Sequence, residues 1–175
     1  MEKAEAEKRV FIGLGSNLGD RAKNLATALE RLESVNGISV KRKSPIYSTP
    51  PYGVAQQPSF YNQVAEIATR LSPEELLEKI HLIESELGRK RSEVRFTPRI
   101  IDIDILLFGG EGTSVIYHKD LAVPHYDLHN RPFFLVPLSE LDSTAVHPLV
   151  GRTIEEMLSE FEPEEINSCV RVSEG

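Results

Sequence analysis

Cysteine is nearly absent: Cys169 is the only one in 175 residues. A single cysteine cannot form an internal disulfide, so no disulfide framework holds this chain and nothing points to secretion. Long apolar runs are missing too. None approaches the ~20 residues that a bilayer span requires, which excludes an integral membrane protein and any membrane partner of that kind. The opening stretch, Met1 to Arg9, is charged from its start and has no apolar core, so it is not a signal peptide. Its three acids also argue against a transit peptide, and the expected compartment is the cytoplasm. A basic excess is lacking as well. Twenty Lys and Arg face 27 Asp and Glu, a net charge of −7, where a generic nucleic-acid binder leans the other way. No G-x-x-x-x-G-K-[ST] occurs, which rules out a P-loop, and Gly13 to Gly19 has one residue too many for G-x-G-x-x-G.

What is present is an ordinary globular mix, 40% hydrophobic and 27% charged, of a length that suits one domain with its own core. The expected divisions are a charged extension at 1–9, a single domain at 10–162 and an acidic tail at 163–175. Residues 151–175 hold seven glutamates against Arg152 and Arg171. Against that background Arg89, Lys90, Arg91, Arg95 and Arg99 crowd into eleven residues. A local cationic cluster in an acidic protein suits a small anionic ligand, although charge alone equally fits a solvated loop.

Val10 to Leu14 reads as a buried strand that ends at Gly15-Ser16-Asn17. Leu25, Leu29 and Leu32 recur at helical spacing from about Arg21, and Asn36-Gly37 stops that helix. Ile38 and Val40 alternate as a strand until Pro45, and Ser48 to Gly53 reads as a rigid turn. A further strand puts Tyr61, Gln63, Ala65 and Ile67 on one face and Asn62, Val64 and Glu66 on the other. Ser72-Pro73-Glu74-Glu75 is a capping box opening a helix with Leu76, Ile80, Ile83 and Leu87 inward, closed by Gly88. Ile100 to Phe108 is strand-like, and Ser114 to Tyr117 is placed to pair back on it. Prolines 124, 132, 137 and 148 break the later region into short pieces. Thr153 opens a last short helix, with 163–175 a loose tail. The order β-α-β-β-α-β predicts an α+β fold of ferredoxin-like sandwich type, helices on one face of an antiparallel sheet.

Asp102-Ile103-Asp104 carries the most chemistry. Strand alternation points both carboxylates one way and Ile101, Ile103 and Ile105 the other. Paired carboxylates beside isoleucines need positive charge to neutralise them, and Mg²⁺, which shares its shell with substrate phosphates, suits that need. An edge strand with one wet face is the plainer alternative. Arg99, three residues earlier, and Arg89 to Arg91 supply the guanidinium chemistry that grips phosphate. In Pro124 to Arg131, His125 suits donation to phosphate with Arg131 beside it. His125 and His129 at i, i+4 also match a zinc pair, but no third ligand has clear spacing. Phe60, Phe133 and Phe134 read as core, and Cys169, with no basic neighbour, reads as inert.

Together these blocks resemble the 6-hydroxymethyl-7,8-dihydropterin pyrophosphokinase family. The resemblance rests on Gly13 to Asp20, Tyr47 to Gly53, Phe60-Tyr61-Asn62, Glu84 to Arg91, Pro98 to Asp104 and Val123 to Tyr126, in order and spacing. It covers roughly 10–160 and implies a ferredoxin-like fold in which 10–162 is a pyrophosphokinase domain. It implies ATP as co-substrate and a hydroxymethyl dihydropterin as acceptor, with AMP released, in folate biosynthesis. By matching position, Asp102 and Asp104 would hold two Mg²⁺, and Arg89 and Arg99 would stabilise the transferring phosphates, with Arg91 assisting. His125, Tyr126 and Arg131 would meet the triphosphate, and His81, Glu84 and Ile105 would lie near the nucleoside. Phe60 and Phe133 would sandwich the pterin, Asn62 would hydrogen-bond it, and Thr49, Pro50 and Tyr52 would complete its slot. Small molecules are then the expected partners, with no nucleic acid, and the chain is expected to be a monomer. Three positions depart from the pattern. Phe96 stands where tryptophan is frequent and Thr97 where a small residue is usual, both in the loop that closes on substrates. Asp120 stands near a frequent arginine, which weakens an ATP contact.

Overall fold

Strand β1 (Lys8–Ser16) runs through the interior of the main sheet in the computed structural model, which describes residues 6–51, 56–88, 99–109, 114–118 and 120–173. It pairs antiparallel with β4 (Phe60–Thr69) on one side and with β5 (Asp102–Phe108) on the other. Strands β2 (Ile38–Lys43) and β3 (Tyr47–Thr49) follow one another along the other edge of β4, separated where Pro45 interrupts the ladder. A short strand β10 (Val170–Arg171) adds to β3, so the order is β10-β3-β4-β1-β5 with β2 beside β4. The expected mixed α and β class with an antiparallel sheet is therefore present.

Helices α1 (Arg21–Ser34) and α2 (Pro73–Glu86) form where apolar residues recur at helical spacing. Asp20 caps α1 by accepting from the Lys23 N–H, and Ser72 with Glu75 completes the expected capping box of α2. Gly37 and Gly88 both take positive φ, as the chain reversals after these helices require. The two helices bury Leu25, Leu32, Leu76 and Ile80 against Val10, Ile12 and Leu14 of β1 and against Ile103 and Ile105 of β5.

The sheet has a second covered face, and here the expectation of helices on one face is corrected. Helix α3 (Pro132–Asp142) and the short α4 (Ile154–Leu158) bury Phe134, Leu135, Leu138, Ile154 and Met157 against Phe11, Val64 and Leu106. Prolines 132 and 137 do not fragment this region. Pro132 sits at the first helical turn, where its missing N–H is no loss, and Pro137 is tolerated inside a helix whose apolar burial outweighs the lost hydrogen bond.

Three local expectations also change. Ser48 and Thr49 belong to β3 rather than to a turn. Strand β6 (Ile116–His118) pairs forward with β7 (Leu121–Val123), not back on β5. Residues 163–173 are not loose: α5 (Pro163–Asn167) leads into β10, and the Val172 N–H donates to the Ile46 carbonyl at 2.8 Å. A small ladder of β8 (Val146–His147) and β9 (Arg152–Thr153) precedes α4.

Candidate active site

Opposite residues of an antiparallel ladder share a face, so the register decides which side chains meet. Thr49 lies opposite Phe60, Asn62 opposite Gly15, Gly15 opposite Asp102 and Gly13 opposite Asp104. Successive rungs on one face of four strands, that toward α3, thus carry a hydroxyl and an aromatic ring, then an amide, and then two carboxylates. Glycine is required in its middle. A Cβ on Gly15 would stand 2.8 Å from Asn62 Oδ1, and one on Gly13 2.6 Å from the Phe134 ring. The Asn62 amide, buried and so fixed, donates to Thr49 Oγ1 at 2.6 Å.

Strand β5 is an edge, and its exposed backbone groups are covered by site residues. The buried Glu84 of α2 accepts the N–H of Ile103, between the two aspartates, at 3.1 Å. The His125 N–H donates to the Leu106 carbonyl at 3.0 Å, which seats the imidazole beside Asp104. Arg99 Nη1 donates to Asp102 Oδ2 at 2.9 Å.

His125 is held neutral. Burial, and then the Arg131 charge, push its pKa down to about 4. Its Nδ1 accepts the Asp127 N–H at 3.2 Å, so the proton sits on Nε2, 3.9 Å from Asp104 Oδ1. That distance is too long for a hydrogen bond and leaves Nε2–H available to a ligand oxygen. The ring stacks on Tyr126 at 4.7 Å and meets Phe134 edge-on at 5.5 Å. Asp127 Oδ2 in turn accepts from Arg131 Nε at 2.9 Å, and Arg131 Nη2 donates to the Tyr126 hydroxyl at 3.1 Å. Burial opposes the Asp127 charge, but hydrogen bonds from Asn130 and Arg131 outweigh it and hold its pKa below the ordinary carboxylate value.

These groups line one cleft of about 840 Å³. Thr49, Pro50, Phe60, Asn62 and Phe133 lie along it with His81, Glu84 and Ile105, and so do Arg99, Asp102, Asp104, His125, Tyr126 and Arg131. Every described residue expected to form the site is therefore gathered there. Asp120 also lines it. Tyr52, Arg89, Arg91, Phe96 and Thr97 lie outside the described residues. The supposed pair of His125 and His129 is not one. His129 turns instead to His147, ring centroids 6.0 Å apart and nearly perpendicular. Sequence reasoning missed Gln57 and Asp127, which line the cleft, and it read Phe134 as core alone. The i, i+4 spacing of Asp127 and Arg131 was the available signal; Gln57 offered none.

A family model described as 7,8-dihydro-6-hydroxymethylpterin-pyrophosphokinase matches residues 11–143. The chain is 43% identical over 155 residues to the 2-amino-4-hydroxy-6-hydroxymethyldihydropteridine pyrophosphokinase of Methylorubrum extorquens, covering 89% of this chain and 94% of that protein. Over 131 residues it is 46% identical to the Bacillus subtilis protein of the same name, covering 75% of this chain and 76% of that one. Among solved structures it resembles the wild-type HPPK-DHPS of Plasmodium falciparum, at TM-score 0.70 and 18% identity. That match covers 94% of this chain and 44% of the Plasmodium chain.

Proposed function

This chain belongs to the 7,8-dihydro-6-hydroxymethylpterin-pyrophosphokinase family, and on that premise we propose that it transfers pyrophosphate from ATP to 6-hydroxymethyl-7,8-dihydropterin in folate biosynthesis. The hydroxymethyl oxygen attacks the β-phosphorus and forms the new O–P bond. The bond from the β-phosphorus to the α–β bridging oxygen breaks, AMP leaves and the hydroxyl proton passes to solvent. The observation that carries this reading is the single cleft joining an aromatic and amide end to a carboxylate, arginine and imidazole end.

Phe60 and Phe133 flank the pterin ring and Asn62 hydrogen-bonds it, with Thr49 and Pro50 closing the slot and Tyr52 assigned to it by the family resemblance. Fixing the ring in this way orients the hydroxymethyl oxygen, and orientation alone lowers such a barrier greatly. Arg99 meets the transferring phosphates, joined by Arg89 and Arg91. The neutral His125 donates from Nε2 to a phosphate oxygen, and Arg131 and Tyr126 bind the triphosphate beside it. His81, Glu84 and Ile105 border the nucleoside.

Asp102 and Asp104 offer carboxylate oxygens from one face of a strand, a hard donor set that fits Mg²⁺ and leaves most of its shell to phosphate and water. They would hold two such ions. Bound there, Mg²⁺ would neutralise developing charge on the polyphosphate.

We read the sheet with α1 and α2 as a ferredoxin-like sandwich and 10–162 as the pyrophosphokinase domain, with Lys8, Arg9 and β10 of the acidic C-terminal segment added to its sheet. The protein is proposed to act as a cytoplasmic monomer on small molecules alone. Incubation with ATP, Mg²⁺ and the hydroxymethyl pterin should yield AMP and the pterin pyrophosphate in equal amounts. Pyrophosphate release, or turnover of ATP to ADP, would overturn the assignment.

A further inference from the structure

Asn17 stands just beyond β1, is not among the residues that line the cleft, and is 1% exposed. Four hydrogen bonds converge on it. Its Oδ1 accepts the Arg99 N–H at 2.7 Å, and its own N–H donates to the Arg99 carbonyl at 3.0 Å. Its Nδ2 donates to Gln57 Oε1 at 3.2 Å and to the Pro58 carbonyl at 3.4 Å. The amide orientation is set by these partners, since a reversed amide would face an N–H with nitrogen and two oxygens with oxygen.

The two segments that it joins are far apart in the chain and lie at different ends of the cleft. Arg99 reaches Asp102 through its guanidinium, at the carboxylate end. Gln57 lines the cleft, and Pro58 precedes Phe60 by two residues. The regular β1–β5 ladder stops at Gly15 opposite Asp102, so its pairing does not extend to Arg99. Asn17 replaces the missing rung.

We propose that Asn17 is a positioning residue for phosphoryl transfer. It fixes the Arg99 end of the cleft against the Phe60 end, and so sets the distance between polyphosphate and acceptor. The proposal rests on the pyrophosphokinase reading of the cleft. Such a residue matters little to either substrate bound alone and greatly to the two together, because an error near 1 Å between reacting groups costs on the order of a hundredfold in rate.

The test uses the full chain and AMP formation from ATP, Mg²⁺ and hydroxymethyl dihydropterin. Wild-type turnover is the control for the reaction itself; its absence would overturn the reading of function, whatever the variants do. Asn17→Ala removes both ties made by the side chain. Its kcat should fall about thirtyfold to a hundredfold, while the Kd of a non-hydrolysable ATP analogue and that of the pterin, each measured alone, stay within about threefold. Asn17→Asp keeps an acceptor for the Arg99 N–H but sets a carboxylate oxygen against Pro58 and Gln57. With only the Arg99 tie left, its kcat should fall about tenfold or more, and the KM for the pterin should rise by up to about tenfold with the KM for ATP little changed. Wild-type kcat at saturation in Asn17→Ala, or the same loss of melting temperature and activity in both variants with no split between the substrates, would overturn the proposal.

Discussion

The two faces of one sheet are built for opposite purposes. Toward α1 and α2 the strands present Val10, Ile12, Leu14, Ile103 and Ile105, and the interface is apolar and closed except where α2 and β5 border the cleft. Toward α3 the same strands present Gly13 and Gly15, Asn62, Asp102 and Asp104 at one end, and apolar packing resumes only further along, around Phe11, Val64 and Leu106. The stabilising face lets the other carry groups that fold at a cost. Polar and charged groups there are tolerated because each is hydrogen-bonded or open to the cleft. Strand β5 shows the division residue by residue, with isoleucines and aspartates alternating between the two roles.

The comparison breaks most sharply on β5 itself. Asp104→Asn and Asp102→Asn should each lower kcat by about 10³-fold or more, through loss of a metal anchor, with a melting temperature near wild type. Ile103→Ala, between them but with its side chain in the apolar core, should cost about 2–5 kcal/mol of stability and leave the folded fraction active. Steady-state kinetics and chemical denaturation of the three variants decide it. A folded but inactive Ile103→Ala, or an Asp104→Asn that unfolds, would mean the faces are not functionally separate.

Much of the sealed face was legible in the sequence, because it obeys simple periods. The Leu25, Leu29, Leu32 stripe, the α2 capping box and the β1 alternation all follow from local rules. The Asp102-Ile103-Asp104 pattern was legible for the same reason. The pterin end was not. Thr49, Asn62 and Gly15 meet only through cross-strand register, which no local pattern reveals, and they were reached through family resemblance. Phe133 and Phe134 are adjacent aromatics that composition cannot tell apart; the helix they start was hidden by two prolines. Asn17 reads as a turn residue, and its partners lie 40 and 82 residues away. Docking of 163–173 on β3 depends on a free strand edge, which the sequence does not advertise.

A second contrast concerns pH, since two buried histidines lie beyond the sealed face. Burial is the first cause that lowers the pKa of both His125 and His147, joined by the Arg131 charge at His125 and by the neighbouring His129 at His147. The folded state then binds fewer protons than the unfolded one, so stability is fully present above the ordinary histidine value of 6.5 and is lost as pH falls. For His125 the loss runs from 6.5 down to about 4 and amounts to roughly 3 kcal/mol. Urea unfolding at pH 4 to 7 should show this slope, and His125→Gln should flatten part of it. An unchanged slope in that variant would place the proton uptake elsewhere. In the ligand-free protein His125 is neutral from about pH 6 upward, so kcat/KM between pH 6 and 8 should owe no acid limb to it.

Gly15→Ala sharpens the comparison further. Its Cβ enters the site face, where Asn62 Oδ1 stands 2.8 Å away and is itself held by Thr49. Asn62 must shift, so the KM for the pterin should rise about tenfold or more while the KM for ATP holds. Parallel increases in both would mean that Gly15 shapes the whole cleft rather than its pterin end.

The finest distinction separates two adjacent rings on α3. Phe134 is 4% exposed, packs against Gly13 and touches His125 edge-on. Phe133 is half-buried, lies 4.7 Å from Phe134 and lines the cleft. One is a core residue that borders the site; the other is a site residue that rests on the core. Phe134→Ala should therefore cost about 3–5 kcal/mol of stability, as removal of a buried aromatic does. Phe133→Ala should cost much less stability and weaken pterin binding about tenfold, which is a stacking contribution of about 0.5–1.5 kcal/mol plus the apolar area no longer covered. Affinity for an ATP analogue should stay within about twofold in Phe133→Ala, because arginine and imidazole groups, not this ring, meet the phosphates. Titration of each ligand beside a melting curve reads both quantities on one sample. Equal losses of stability in the two variants, with pterin affinity unchanged in Phe133→Ala, would return Phe133 to the core and leave Phe60 as the single aromatic wall of the slot.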